Sequence, residues 1–186
     1  MAVTEYVTSP RIRENRRRQL AQAQQDVLPT AAVFSAQELT DGENTLTYTA
    51  GFDESGEVTG AVINVAPAGY GGPIEMVLGM SETGKLTGIK ILSHKETPGL
   101  GSKVQDPEFI NPVLEMTKSK DKPIFLLKND GGDIDAITAA TISSRAFSNG
   151  LRQGQKAFEQ LQSQLLSLKP PVVEIASDTN DLGENQ

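Results

Sequence analysis

The 186-residue sequence has no cysteine, no tryptophan and a single histidine, His94. Without thiols it has no disulfides, thiolate zinc sites, iron–sulfur ligation or cysteine nucleophile. One histidine supplies neither a multi-histidine metal centre nor a conventional histidine-centred triad with the parts it needs. Redox work in such a chain therefore falls to a bound organic cofactor. No stretch approaches the ~18–20 consecutive apolar residues that cross a bilayer, and residues 1–25 lack the apolar core of a signal peptide. The chain as written is expected to be soluble. Its net charge of −7 leaves no broadly basic face to neutralise phosphates, so a DNA or RNA partner is set aside.

What is present suits one folded domain: 37% apolar residues, 22% charged and only 5% aromatic. Residues 10–27 are expected to form a helix, basic through Arg11, Arg13, Arg16, Arg17 and Arg18, with a thin apolar stripe of Ile12, Leu20, Ala23 and Val27. Pro29 ends it. A solvated basic surface is the plain reading of that helix, and contact with lipid headgroups or an acidic partner is the other. From residue 46 to residue 94 the pattern changes to short alternating apolar runs punctuated by glycine, including residues 61–65, 74–78 and 89–92. Asp53-Glu-Ser-Gly56-Glu-Val-Thr-Gly60 is echoed by Ser81-Glu-Thr-Gly84-Lys-Leu-Thr-Gly88, which predicts two successive hairpins with Gly56 and Gly84 at positive φ. A short helix with its connection (107–123), a strand (124–127) and a polar turn (129–132) follow.

The clearest helix is expected to begin at Ser143 or Ser144. Phe147, Leu151, Gly154, Phe158, Leu161, Leu165 and Leu168 recur at steps of four and three, drawing one apolar stripe to lie on the sheet. Pro170-Pro171 ends it, and the polar, acidic residues after them suit a disordered tail. The expected class is α+β: a mainly antiparallel sheet with flanking helices and a long C-terminal helix. Residues 1–29 form the N-terminal helix, 30–169 the domain proper and 170–186 the tail.

Two segments stand out chemically. Asp135-Ala-Ile-Thr138-Ala-Ala140-Thr141-Ile-Ser143-Ser144 crowds hydroxyls at the start of the long helix. Unsatisfied N–H groups there suit a phosphate, yet serine and threonine also serve as ordinary helix caps, and spacing alone leaves both readings open. His94-Lys-Glu96-Thr97-Pro-Gly99-Leu100-Gly101 fits neither Walker nor Gly-x-Gly-x-x-Gly spacing. By itself it is a turn after a strand.

Asp135-x-x-Thr138-Ala139-Ala140-Thr141 resembles the Asp-x-x-(Ser/Thr)-Gly-Ala-Thr motif of FMN-binding domains, with Ala139 in place of the family's usual glycine. Glu96-Thr97-Pro98-Gly99-Leu100-Gly101 resembles a second block of that family without a mismatch. With Val27-Leu28-Pro29 and Gly69-Tyr70-Gly71-Gly72-Pro73-Ile74 in order, the likeness is to the G subunit of the Rnf electron-transport complex. The C subunit of the sodium-pumping NADH:quinone reductase is a relative. The resemblance implies FMN joined to Thr141 by a flavin transferase through a phosphoester. It also implies phosphate contacts from Thr138 and Ser143 beside Asp135 and Ala140, a ring bordered by Glu96, Thr97, Gly99 and Leu100, and Tyr70 nearby. It further implies a non-catalytic member of a membrane complex that passes electrons between ferredoxin and NAD while translocating sodium ions or protons. In that family a membrane helix, expected to have been removed ahead of Met1, holds the FMN domain outside the cytoplasm. A stand-alone flavinylated carrier and a cofactor-free interaction domain are the rival expectations.

Overall fold

The computed structural model describes residues 3–41, 44–120 and 123–170, without the side chains of residues 3–12, 41 and 44. Helix α1 (Val3–Val27) precedes strands β1 (Val33–Asp41), β2 (Asn44–Phe52), β3 (Val58–Val65), β4 (Glu75–Ser81) and β5 (Leu86–Ser93). Helices α2 (Pro107–Ser119) and α3 (Thr141–Leu165) follow, with 3-10 turns at Gly101–Gln105 and Lys128–Asp130. The five strands pair antiparallel in sequence order, so the α+β expectation holds.

Strand periodicity explains why the sheet carries helices on both faces. Alternate residues point to opposite sides. Ile63, Met76 and Leu78 belong to the large core that includes Phe147, Leu151, Phe158, Leu161 and Leu165 of α3. Val62 and Val77, one residue out of phase, belong to the smaller core with Ala23, Val27 and Leu28. The middle of β4 is therefore apolar without alternation, as expected of a strand covered on both sides. α1 sits unusually close to the sheet: a Cβ at Gly79 would lie 2.1 Å from the Val27 carbonyl oxygen. The Thr87 hydroxyl donates to that same oxygen at 2.6 Å.

Gly56 and Gly84 occupy the two predicted turns with φ of 84° and 81°. The stripe of α3 is buried from Phe147 to Leu165, with Leu168 packed against the core beyond its end. Four expectations change. The sheet begins earlier, at β1, whose Ser35, Gln37, Glu38 and Thr40 hide the strand signal on a half-buried edge. Residues 124–127 form no strand: the Leu126 N–H bonds to the Ile124 carbonyl, and only Leu127 bridges Ile134. α1 starts at Val3, so Pro10 lies inside it; proline withholds one backbone donor, which does not prevent helical turns ahead of it. α3 starts at Thr141, two residues ahead of the first expected position, because the Ser144 N–H already bonds to the Ala140 carbonyl at 3.0 Å.

Only part of α1 is a solvated basic surface. Arg13, Arg16, Arg17 and Arg18 are exposed, and a single nitrogen of Arg16, Nη2, donates to both carboxylate oxygens of Glu75 at 3.0 Å, while Ala23 and Val27 are buried on the sheet. The side chains of Arg11 and Ile12 lie outside the described residues, as does the expected tail beyond residue 170.

Candidate functional site

The segment entering α3 is tied down by its own hydroxyls. Ser144 is fully buried; its hydroxyl donates to the Ala140 carbonyl at 2.9 Å and accepts the Ile137 N–H at 3.0 Å. The Ala140 N–H closes a turn onto the Ile137 carbonyl at 3.0 Å. Inside that turn Ala139 has φ of 61°, alone among the described non-glycine residues in adopting a positive φ. This is the position where the family motif has glycine, and the left-handed conformation costs a side-chain-bearing residue about 1 kcal/mol. Ala139→Gly is expected to stabilise the domain by a few tenths to about 1 kcal/mol, the gain reduced by glycine's greater freedom when unfolded. A urea midpoint that falls in this variant would contradict the strain.

The helix that follows has no side-chain cap. Ala140 occupies the cap position, where it has no hydroxyl to offer, and Thr141 is the first helical residue. A helix leaves its first N–H groups without internal partners and carries partial positive charge at that end. The ordinary-cap reading of the hydroxyl cluster therefore fails: Ser144 holds the loop, Ser143 turns inward, and Thr141 stays exposed.

Thr141 opens onto a cleft of about 480 Å³. One wall is Tyr70, Thr97, Leu100 and Gly101; the other is residues 139–143. The volume falls within the ~300–1,000 Å³ of small-molecule sites. Tyr70, Leu100 and Ile142 expose large apolar surface at this cleft, with Tyr70 69% accessible. Among the described residues no lysine or arginine lines it, and the helix N-terminus is the positive element they supply there.

Glu96 lies behind this cleft and is buried. Its carboxylate accepts the Gly71 N–H at 2.8 Å and the Tyr70 N–H at 3.2 Å, and the Ser143 hydroxyl donates to it. Burial, the largest single influence, pushes the carboxyl's pKa up; the Ser143 hydroxyl, the Gly71 and Tyr70 amides and nearby His94 together outweigh it and hold the group below its ordinary value. The fit leaves no room for side chains: a Cβ at Gly101 would stand 2.4 Å from Ser143 Oγ and 3.0 Å from Glu96 Oε2.

Of the residues singled out in the sequence, the fold brings Tyr70, Thr97, Leu100, Ala140, Thr141 and Ser143 to the cleft. Glu96 stands one layer behind, through Ser143. Thr138 and Gly99 are exposed outside its lining, the Gly99 N–H bonded to the Ser102 hydroxyl at 2.9 Å. Asp135 pairs with Lys128 at 2.8 Å on the surface. Sequence reasoning missed Ile142 and Ala139 as lining residues and carried Gly101 only as part of the Glu96 block; an apolar side chain at the first turn of a helix was the available signal for Ile142.

Residues 69–156, which include both walls, match the FMN-binding domain model. The G subunit of the ion-translocating oxidoreductase complex from Vibrio parahaemolyticus is 31% identical over 182 residues, covering 90% of this chain and 85% of the relative. The chain belongs to this family of FMN-binding domain proteins. The corresponding G subunit from Shewanella piezotolerans is 37% identical over 110 residues, 58% of this chain, and the chain spans about half of that relative's length, 52%. The crystal structure of the C subunit of Na(+)-translocating NADH-quinone reductase from Parabacteroides distasonis shares the fold, with a TM-score of 0.58 at 16% identity. The match covers 82% of this chain and 96% of that one. Within the family, the uncapped start of α3, the apolar rim and the free approach to Thr141 fit a flavin phosphate and ring.

Proposed function

We propose that this chain is an electron-carrying subunit of a membrane ion-translocating oxidoreductase, with FMN attached covalently through Thr141 Oγ1. The observation that carries the reading is Thr141 itself: an exposed hydroxyl on the first residue of an uncapped helix, opening onto the cleft. Thr141, Ile142 and Ser143 are the residues whose backbone N–H groups would hold the phosphate, and Tyr70, Thr97, Leu100 and Ile142 would border the ring. When bound, FMN accepts and releases one or two electrons, and the protein's part is to place it and tune it.

Attachment is a phosphoryl transfer assigned here to a separate flavin transferase. Thr141 Oγ1 would take the flavin phosphate as an ester: its new bond to phosphorus replaces the anhydride bond of an activated flavin phosphate donor, the other phosphate-bearing half of that donor departs as the leaving group, and the hydroxyl proton leaves to the transferase. Free FMN, whose phosphate has no such leaving group, is expected not to label the chain. In the full assembly the domain would stand on the extracytoplasmic side among the other subunits, held by a membrane helix, and would relay electrons without turning over a substrate itself. Among the described residues no helix is long and apolar enough to cross a membrane.

The test is co-expression with an FMN transferase, followed by denaturing electrophoresis viewed for flavin fluorescence and by intact-mass measurement. One FMN phosphoester per chain is the expected result. A chain that stays unmodified beside a transferase that labels a known acceptor would overturn the proposal.

A further inference from the structure

Glu96 is not spent on lining the cleft, yet it is the one described carboxylate that reaches both of its walls. From strand β5 the chain leads through His94 to Glu96, and the carboxylate then takes three donors from two separate parts of the fold. Two are backbone N–H groups of residues 70 and 71, in the loop between β3 and β4; the third is the Ser143 hydroxyl in the first turn of α3. The Glu96 N–H is itself held by His94 Nδ1 at 3.2 Å. A glycine stands at each point of closest approach: a Cβ at Gly69 would lie 2.5 Å from Glu96 Oε1, and one at Gly71 would lie 1.9 Å from the Lys95 carbonyl oxygen.

We propose that Glu96 is the positioning residue of the flavin site, its carboxylate setting the gap between the Tyr70 wall and the Thr141–Ser143 wall. The proposal rests on the FMN reading given above. A buried carboxylate loses hydration and is retained at low cost only where donors replace that hydration, and here two of the three donors, Tyr70 and Ser143, line the cleft on opposite walls, while the third, Gly71, adjoins Tyr70 in the same loop. The amide isostere cannot reproduce the arrangement. A glutamine keeps one acceptor oxygen and presents NH₂ in place of the other; the Ser143 hydroxyl can turn to accept from that NH₂, but a backbone N–H cannot, so at least one of the two loop amides, Tyr70 or Gly71, loses its acceptor. The carboxylate is also a fixed negative charge one hydroxyl behind the cleft wall. It disfavours adding electrons to a bound flavin and holds the flavin's potential down.

The experiment compares wild type, Glu96→Gln and Ser143→Ala, each as the flavin-free domain and as the transferase-labelled holoprotein. In the flavin-free domain, amide exchange by NMR is expected to accelerate at least tenfold at one or both of Tyr70 and Gly71 in Glu96→Gln, while Ser143→Ala leaves those two amides protected. In the holoproteins, visible circular dichroism of the flavin is expected to change in both variants at temperatures well below unfolding. The midpoint potential is expected to rise in Glu96→Gln, which removes the charge, and to move less in Ser143→Ala, which keeps it. A purely structural role would lower the melting temperature and leave flavin dichroism and potential unchanged, and that result overturns the proposal. If Glu96→Gln does not fold, Ser143→Ala still decides it: flavin dichroism identical to wild type overturns the two-wall clamp. Failure of wild type to label sinks the FMN reading, while the exchange measurement on the flavin-free domain still tests the clamp.

Discussion

Thr141→Val is expected to abolish covalent flavin completely, leaving no fluorescent band after denaturing electrophoresis and no added mass. Valine keeps the shape and β-branching of threonine and removes only the hydroxyl, and an isopropyl group offers no oxygen to phosphorus. The first helical position is exposed, so the substitution is expected to move stability by no more than about 0.5 kcal/mol. Loss of label therefore reports chemistry rather than unfolding. Thr138→Val is the internal control. Thr138 sits in the same motif but outside the cleft lining, and its label is expected to weaken at most. Label retained in Thr141→Val would move the attachment point; label lost in Thr138→Val alone would move it to that residue.

Phe147→Ala is expected to cost about 3–5 kcal/mol, the usual range for emptying a fully buried aromatic site. Phe147 is completely inaccessible, and its ring meets Phe109 of α2 edge-on, with centroids 4.9 Å apart and planes at 65°. It thus joins α3 and α2 within the large core. For a domain of this size that loss corresponds to a fall in melting temperature of about 6–20 °C. The measurement is a thermal or urea unfolding curve of the flavin-free domain beside wild type. A loss below about 1 kcal/mol would mean that α3 is not held through this side chain.

The two variants separate the roles of one helix. Its apolar stripe fixes where the helix lies, and its uncapped first turn supplies the phosphate seat of the proposed function. That division explains how much was visible beforehand. Steps of four and three from Phe147 to Leu165 are a local signal, because a helix repeats its buried face every 3.6 residues whatever it packs against. The turn glycines Gly56 and Gly84 are equally local, since positive φ is a property of single residues. β1 was not legible because an edge strand needs only half of its surface buried, and Ser35, Gln37, Glu38 and Thr40 suffice there. Residues 124–127 misled for the opposite reason: alternate burial of Phe125 and Leu127 looks like a strand whether or not a neighbouring strand is available.

The site divides along the same line. By itself the sequence determined the two motif blocks, the hydroxyl-rich start of the long helix, the α+β class and the absence of thiol or multi-histidine chemistry. Those are properties of residue type and short spacing. Tertiary structure alone decided which hydroxyl was free. Ser143 and Ser144 are as suitable for capping as Thr141 in sequence, but packing turned one onto Glu96 and the other onto the loop carbonyl at Ala140. It also moved Glu96 from the cleft's expected border to the layer behind it. Hydrogen-bond partners 25, 26 and 47 residues away in sequence made the difference, and no local pattern encodes a pairing that the fold itself must close.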